Sequence, residues 1–408
     1  MKLVLRNANL IDCVNAEPVP AAWIIVEDGR IVDLGGRESD PDLGDAQVID
    51  LEGSFLLPGL WDLHVHLEWP REEHLNLAEQ VIQYGYNARQ GLTEAGVIGI
   101  RTAGVPHFID VGLKHSFDSG QLVGPRIFAG GYFLTTTAGH ALASGFTKQC
   151  DGADGFVQAI REQIQNGVDH VKLNLTGGIM GSGWDLHQYS LLLEEELEAA
   201  FSMCHQRGYK VMAHAANPDA VKSALRLKAH TIEHGYIMDE ECIQQFLSGD
   251  TWYVPTLGIS HLTPSQATTE WEVRWMEERN LAPDLIKRAD AASGEHRKWF
   301  QRALQAGVKM ALGSDLRPLK EAALLEMGLW VKSGATPWQT LLAATRDAAE
   351  VCGVGRDLGT VEVGKLADLI VVSRNPLADI DNLRSLEMVF KEGRLIADHR
   401  PVHAKELA

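Results

Sequence analysis

The chain has 408 residues, of which 45% are hydrophobic, 23% charged and 7% aromatic, as in ordinary globular proteins. Its net charge is −18 and it has no lysine or arginine cluster, which argues against nucleic acid as a partner. The five cysteines are scattered without a C-x-x-C pair, and no signal segment or long uncharged apolar run occurs. We therefore predict a cytoplasmic protein with reduced thiols that does not enter a membrane.

Both ends of the chain are predicted to form β-strands. Near the start these are VLRNANLID, AWIIVEDGRIVDLGG and AQVIDLEGSFLLPG, and Asp28-Gly29 is typical of a hairpin turn. Strand patterns return after about residue 358, in LGTVEVGKLADLIVV and LEMVFKEGRLIAD. We predict one small discontinuous β-domain from residues 1–57 and 358–408.

Between these ends, residues 58–357 alternate short apolar runs with amphipathic helices. The predicted strands are LWDLHVH (60–66), VIGIRTAG (97–104), RIFAGG (126–131), HVKLNL (170–175), YKVMAH (209–214), HTIEH (230–234), TWYVPT (251–256) and VKMALGSD (308–315). This pattern favours an α/β fold with a (β/α)8 TIM-type barrel, and a doubly wound sheet is the alternative.

Three helices have recognisable ends. FVQAIREQIQNG stops at Gly167, and Ser190 is predicted to cap LLLEEELEAAFSMCHQR. GATPWQTLLAATRDAAEVCGV begins with a capping box of Thr336 and Gln339. Segment 257–295 is interpreted as a long irregular excursion at the surface or in a subunit contact, with a lid as the alternative.

Metal-ligating side chains follow the predicted strands at their carboxyl ends, where barrel enzymes build their active sites. They are His64, His66, His214, His234 and Asp315. His64 and His66 are two residues apart and therefore face the same way. Imidazole nitrogen and carboxylate oxygen are good ligands for zinc-like divalent cations. Each residue alone has an ordinary structural explanation, but the conjunction at strand ends predicts a metal site.

Lys172 lies in the apolar run HVKLNLTGG, where an unpaired ammonium is unfavourable. A neutral lysine amine at this position is able to take up carbon dioxide and become an anionic carbamate. Its two oxygens would bridge two divalent cations. The alternative is a lysine that extends from the strand end to solvent.

The chain resembles the metal-dependent amidohydrolase superfamily. The matching segments are LPGLWDLHVH (57–66), VKLNLTGG (171–178), VMAHA (211–215), IEHG (232–235), LGSD (312–315), GATPWQTLLAATRDAAEVCGV and GTVEVGKLADLIVV. The resemblance implies a (β/α)8 barrel with a small β-sandwich formed by both chain ends.

The resemblance also implies a site with two divalent metal ions, preferably zinc. His64, His66 and Asp315 would hold one ion and His214 and His234 the other. The carbamate derived from carbon dioxide on Lys172 would bridge them.

Within the superfamily, two segments are similar to the imidazolonepropionase-related group with its Xaa-Pro dipeptidase-like members. They are Lys172 with Thr-Gly-Gly beginning four residues later, and TTTAGHA with His140. Two departures from related patterns matter. Dipeptidase-like members often have His-Ala-Tyr after strand five, whereas this chain has His214-Ala215-Ala216. Deaminases typically lack the lysine and carry a glutamate after the strand-five histidine, whereas this chain has Lys172 and no glutamate in HAANPD.

The resulting hypothesis is a binuclear hydrolase that cleaves a carbonyl–nitrogen bond of a small molecule, of amide, carbamate or urea type, through a hydroxide shared by the metals. Asp315 would take the proton of the attacking water, and His140 would bind the developing oxyanion. His140, Trp184, His187, Tyr189 and Arg317 are the candidate substrate-binding residues.

Three alternatives stay open at this stage. They are a mononuclear cyclic-amide hydrolase or deaminase of the same fold, a dipeptidase or carboxypeptidase-like enzyme, and a non-catalytic scaffold relative. The substrate and the oligomeric state are undetermined by the sequence, although the resemblance is compatible with a homo-oligomer.

Overall fold

The computed structural model describes residues 2–37, 41, 43–69 and 75–401. Small parts of the predicted β-domain, including Met1 and residues 402–408, lie outside this range. The strands are β1 (Lys2–Leu10), β2 (Val19–Glu27), β3 (Arg30–Gly35), β4 (Gln47–Asp50), β5 (Phe55–Pro58), β6 (Leu60–Val65), β7 (Val97–Thr102), β8 (Arg126–Phe128), β9 (Phe133–Thr135), β10 (Thr147–Gln149), β11 (His170–Asn174), β12 (Lys210–Ala215), β13 (Thr231–His234), β14 (Trp252–Val254), β15 (Leu369–Val372), β16 (Leu386–Lys391) and β17 (Arg394–Asp398).

The α-helices of the described chain lie mostly between the strands of its middle part. They are α1 (Leu77–Ala95), α2 (Ile109–Asp118), α3 (Gly152–Gln165), α4 (Glu194–Gln206), α5 (Pro218–Arg226), α6 (Glu240–Ser248), α7 (Gly258–His261), α8 (Glu270–Arg279), α9 (Pro283–Ala306), α10 (Leu319–Lys332), α11 (Pro337–Ala343) and α12 (Arg346–Val351). None of the helices in the described ranges is long and apolar enough to cross a lipid bilayer.

The two ends of the chain meet in one eight-stranded sheet. Its order is β17-β16-β15-β5-β1-β2-β3, with β4 paired to β1. β15 runs antiparallel to β5, so the C-terminal strands extend a sheet that begins at residue 2. The predicted hairpin at Asp28-Gly29 is confirmed, because both residues have positive φ (48° and 82°), as a type I′ turn requires.

The middle of the chain is built from parallel strands. β6, β7 and β8 form one parallel sheet, and β9, β11, β12, β13 and β14 form a second one with β10 at its edge. Most strands of these sheets are connected by helices, which is the usual way to join parallel neighbours. The chain is therefore a mixed α/β protein.

Backbone hydrogen bonds connect the two parallel sheets through residues 308–315. The amide of Leu63 donates to the carbonyl of Leu312 (2.9 Å), and the amide of Ala311 donates to Tyr253 (3.1 Å). A single parallel β-bridge joins Tyr253 to Met310. The segment that was predicted as a regular strand therefore pairs with β14 through this bridge and backbone hydrogen bonds only. On the opposite side, the amide of Asp169 donates to Ala129 (2.7 Å).

Two of the predicted helix features need correction, and one is confirmed. Ser190 does not cap α4, because it forms a β-bridge with Thr176, and the Glu196 carboxylate accepts the Leu193 amide at the helix start instead. The capping box of Thr336 and Gln339 is confirmed. The helix that it opens is interrupted between α11 and α12.

The prediction that segment 257–295 is irregular was wrong. Most of this segment is helical, in α7, α8 and the first half of α9. Thr269 and Glu272 form a capping box at the start of α8. Its high charge content hid the helices, because a helix with several exposed charged positions has a weak apolar stripe.

Candidate metal centre and active-site cavity

A cavity of about 510 Å³ lies at the carboxyl ends of the parallel strands. Its wall contains the six residues predicted as metal ligands: His64, His66, Lys172, His214, His234 and Asp315. These residues come from β6, β11, β12, β13 and the loop after residue 312, and all but Asp315 are at most 4% exposed. The fold thus brings together side chains that are up to 251 positions apart, as the difference between 315 and 64 shows.

His64, His66 and Asp315 form a cluster that is suited to a divalent cation. Their potential ligand atoms lie within 4.8 Å of one another. The Nε2 atoms of His64 and His66 are 3.9 and 3.4 Å from the Asp315 carboxylate. Tetrahedral ligands at zinc distances of ~2.0–2.1 Å stand about 3.4 Å apart, so the spacing of these donor atoms fits a zinc ion.

The outer nitrogens of these two histidines are held by protein acceptors. His64 Nδ1 donates to a Glu233 carboxylate oxygen at 2.7 Å, and His66 Nδ1 donates to the Gly104 carbonyl at 3.0 Å. Both bonds leave Nε2 with its lone pair facing the cavity. A fixed tautomer of this kind is the usual outer arrangement of metal-binding histidines.

His214 and His234 repeat the same pattern from β12 and β13. His214 Nε2 donates to the Gly177 carbonyl at 2.9 Å, which leaves Nδ1 for a ligand. His234 Nδ1 lies 2.6 Å from the Thr256 hydroxyl. The two rings are 4.4 Å apart at their centroids, so their free nitrogens lie in one region of the cavity.

Lys172 is buried in β11 with 1% exposure. Its Nζ atom has no hydrogen-bond partner in the described part of the chain. Burial lowers the pKa of this lysine to about 8, against the opposing influence of Glu233 and Asp315. The side chain therefore has an accessible neutral form and a donor position that a bound group would satisfy.

Two of the candidate metal ligands have a backbone conformation that is unfavourable for them. His234 and Asp315 have φ of 72° and 56°, in the left-handed region, which costs about 1–3 kcal/mol each. Hydrogen bonds stabilise both: the Tyr253 hydroxyl donates to the His234 carbonyl, and the Asp315 amide donates to the His64 carbonyl. Strain of this kind concentrates where side-chain direction matters for function.

His140 reaches the cavity from the loop after β9. Its Nδ1 is 2.7 Å from an Asp185 carboxylate oxygen, and its ring is 4.7 Å from that of His214. Asp185 also accepts the amide of Gly178, so it connects the His140 loop to the loop after β11. His140 forms part of the cavity wall.

A profile of the amidohydrolase family matches residues 55–396, which is most of the chain. The chain belongs to the amidohydrolase family. It is a metal-dependent hydrolase that acts on carbon–nitrogen bonds, as the resemblance implied.

Several characterised proteins are similar to this amidohydrolase over almost its whole length. Ochratoxinase from Aspergillus niger is 24% identical over 429 residues, covering 97% of this chain and 86% of the relative. Imidazolonepropionase from Thermoplasma volcanium is 23% identical, covering 92% and 91%. The crystal structure of a Xaa-Pro dipeptidase with bound methionine is 26% identical, with a TM-score of 0.83 and coverage of 97% and 99%. The predicted membership of the amidohydrolase superfamily is confirmed, and an imidazolonepropionase and a Xaa-Pro dipeptidase are among the similar proteins.

The other predicted substrate-binding residues of the amidohydrolase divide into two pairs. Trp184 and Arg317 line the cavity, and the Arg317 side chain is 20% exposed. His187 is buried, with its ring against that of Tyr236. Tyr189 is 59% exposed and lies outside the cavity wall.

Sequence reasoning missed four residues that shape this site. They are Asp185, Glu233, Arg279 and Asp62. Glu233 could have been noticed for the same reason as Lys172, because a charged residue in a buried strand needs a specific partner. Asp62 accepts the Ser314 amide (2.9 Å) and thereby connects β6 to the Asp315 loop. Burial raises the pKa of the Asp62 carboxyl to about 6.

Segment 257–295 contributes to the cavity, which the surface interpretation did not anticipate. Ile259, Arg279, Leu281 and Leu285 line one side of it. The segment is attached to the loop after β11 as well, since Arg288 donates to the carbonyls of Gly181 (3.0 Å) and Ser182 (3.1 Å).

We expect Glu233→Gln to weaken both folding and metal binding. Glu233 is fully buried between His64 Nδ1 and Arg101 Nη2, at 2.7 and 2.8 Å. Removing its charge leaves Arg101 uncompensated, which costs about 3 kcal/mol of unfolding free energy. Loss of the outer partner of His64 lowers metal affinity by about 10–100-fold. Urea unfolding and metal titration measure the two effects.

The matched control for this prediction is Glu241→Gln, because the Glu241 side chain is 64% exposed. This variant removes the same charge from the surface. A Glu233→Gln protein with the stability and metal affinity of the control would contradict the assignment of Glu233.

Proposed function

We propose that the chain is a binuclear metal hydrolase that cleaves the carbonyl–nitrogen bond of a small amide, carbamate or urea. One observation carries this proposal: four histidines, each with one ring nitrogen hydrogen-bonded to a protein group, face the same cavity as Asp315 and an unpartnered buried lysine. Such a donor set has the ligand number of two metal sites.

In this proposal the ligands divide between two ions, preferably zinc. His64, His66 and Asp315 would hold one, and His214 and His234 the other. A carbamate on Lys172 would lie between them, which explains why its Nζ is buried without a partner. When bound, the cations lower the pKa of water and polarise the substrate carbonyl.

The protein's own groups then carry the proton. Hydrolysis adds the water oxygen to the carbonyl carbon and breaks the carbon–nitrogen bond, and the leaving nitrogen needs a proton. Asp315 takes a proton from the attacking water and delivers it to that nitrogen. Its carboxylate lies in the cavity, within 3.9 Å of the Nε2 atoms of His64 and His66, so it would be close to the reacting atoms.

His140 is the second catalytic residue of this proposal. Because Nδ1 is bound to the Asp185 carboxylate, Nε2 is able to donate a hydrogen bond only when the ring carries both protons. Asp185 holds the ring in this orientation through that hydrogen bond. The imidazolium would stabilise the oxyanion that develops on the substrate carbonyl.

We also propose that the parallel strands and residues 308–315 close into a (β/α)8 barrel. The hydrogen bonds from Leu63 to Leu312 and from Ala311 to Tyr253 support closure on one side. The bond from Asp169 to Ala129 supports it on the other. Residues 58–357 would then form the catalytic domain, and the terminal strands a small β-domain.

The decisive experiment is metal analysis together with substrate screening. The purified protein is loaded with zinc in bicarbonate buffer, and metal per chain is measured before and after chelation. Amides, dipeptides, carbamates, phenylureas and lactams are then offered as substrates. Two metals per chain and hydrolysis that is lost on chelation support the proposal, whereas a metal-independent or inactive protein would overturn it.

A mononuclear enzyme is the second candidate. The observation that favours it is that, in the described chain, the tight ligand cluster contains His64, His66 and Asp315 alone. A ratio of one metal per chain, with reactivation that is indifferent to bicarbonate, would support this alternative.

We expect Asp185→Asn to lower kcat by about 10²–10³-fold with little change in metal content, because it replaces the charged acceptor that holds the His140 ring in position. His140→Ala should cause a similar loss, and the double variant should lose little more, since the two residues act as one unit. Steady-state kinetics and metal analysis of the three variants test this. Additive losses would contradict the coupling.

A further inference from the structure

Arg279 lies in the cavity wall without an anionic partner. It is the last residue of α8. Its Nη1 atom is buried and makes no hydrogen bond, and no ion pair of its guanidinium occurs among the described residues. Buried polar groups in folded proteins are almost always satisfied, so an unsatisfied charged donor in a cavity points to a ligand.

The guanidinium of Arg279 is held in a defined position. It stacks on the Trp275 ring, with 4.8 Å between its central carbon and the ring centroid. The Trp275 indole donates to the Arg317 carbonyl at 2.7 Å, which attaches α8 to the loop that carries Asp315. Preorganisation of this kind lowers the entropic cost of binding an anion.

Arg317 provides an internal comparison in the same wall. Its Nη2 is 2.6 Å from a Glu68 carboxylate oxygen, so its charge is already compensated. Arg279 has no such carboxylate. Burial and the nearby Arg317 lower the pKa of Arg279 to about 10, which leaves the guanidinium charged at neutral pH.

We propose that Arg279 binds a carboxylate of the substrate, so that the preferred substrates are amides whose leaving amine carries a carboxylate, such as N-acyl amino acids. This inference rests on the proposed hydrolase function. The planar fork of an arginine matches a carboxylate with two parallel hydrogen bonds. We place Arg279 on the amine side of the cleaved bond, because it lines the same cavity as Asp315, which would protonate the leaving nitrogen.

The charge of the whole protein makes a local cation necessary. The net charge of −18 disfavours anionic ligands, and a surface charge is screened beyond about 8 Å at physiological salt. A positive group inside the cavity is therefore what selects an anion. The remaining wall includes Phe133, Met180, Leu281 and Leu285, which fit an apolar remainder of the substrate.

The test compares matched charged and neutral probes. The probes are N-acetyl derivatives of Met, Leu and Phe as free acids, and the same compounds as carboxamides. We expect the zinc-loaded enzyme to prefer the acids. Arg279→Met should lower kcat/KM for the acids by about 30-fold or more, mainly through KM, with little change for the carboxamides. Arg279→Lys should recover part of the loss.

A binding measurement accompanies the kinetics. Competitive inhibition by the free amino acids Met, Leu and Phe should weaken in Arg279→Met by a similar factor. The control variant is Arg274→Met on the same helix, since the Arg274 side chain is 53% exposed and pairs with Glu321. This control should behave as the unchanged protein.

The outcomes separate this inference from the proposed function. Equal hydrolysis of acids and carboxamides, or an equal loss on both in Arg279→Met, would overturn the carboxylate site and leave a positioning influence on Asp315. Hydrolysis of none of the compounds in the whole amide, urea and carbamate panel would instead overturn the hydrolase function itself.

Discussion

Replacing Lys172 by Met should abolish binuclear metal binding and lower kcat/KM by about a thousandfold or more. Met preserves most of the side-chain volume and is unbranched, so the buried strand β11 keeps its packing. The change removes the amine that would become the bridging carbamate. We expect bound zinc to fall from two ions per chain to one or fewer, measured by elemental analysis after loading in bicarbonate.

Lys172→Ala adds a rescue experiment to this prediction. Truncation leaves space at the position of the lost amine, and a short carboxylate such as acetate or propionate offers two oxygens of similar geometry. Partial recovery of metal content and activity with added carboxylate is the expected result. Lys298→Ala is the control, because that lysine is exposed on α9. Full metal content and activity in both Lys172 variants would refute the bridging lysine.

The candidate metal ligands could be selected from the sequence because their signals are local, and the structure brings them to one cavity. Each one ends an apolar run, and the carboxyl ends of parallel strands meet on one side of a sheet. The spacing of His64 and His66 sets their common direction without knowledge of the rest of the fold. Lys172 was conspicuous because its charge interrupts a buried strand.

The residues that position these ligands were harder to predict, because their partners are distant in the chain. Glu233 contacts His64, which is 169 residues away, and Asp185 contacts His140 across two loops. In a single sequence neither pair has a periodicity or spacing that signals it. The close approach of Gly178 to His140 is similarly a tertiary effect, since a Cβ there would lie 2.1 Å from the ring.

Arg279 shows why substrate recognition was the least predictable part. The sequence EWEVRWMEER is rich in charged residues, and the segment that contains it was interpreted as an irregular surface excursion. The direction of Arg279 is set by tertiary contacts, through the stacking on Trp275 and the bond from Trp275 to Arg317. An arginine on a charged helix acquires a distinctive environment only when the helix packs against the cavity.

Asp315→Asn should lower kcat for amide substrates by about a thousandfold or more, because Asn is not able to accept and deliver a proton. Asn is nearly the same size as Asp and retains an oxygen that is able to approach a cation. The variant therefore separates proton transfer from metal binding better than Ala does. Metal analysis should show retention of a large part of the bound zinc.

The leaving group identifies which proton transfer Asp315 performs. A nitroanilide depends less on protonation of its leaving nitrogen than an alkyl amide does, because the nitro group stabilises the departing anion. If Asp315 protonates the leaving nitrogen, Asp315→Asn should lose far less activity on the nitroanilide than on the alkyl amide. Asp250→Asn, at a fully exposed surface position, controls for loss of charge alone. Equal losses on the two substrates would restrict Asp315 to metal binding and activation of water. The reason is that the nitroanilide depends least on delivery of a proton to its leaving nitrogen.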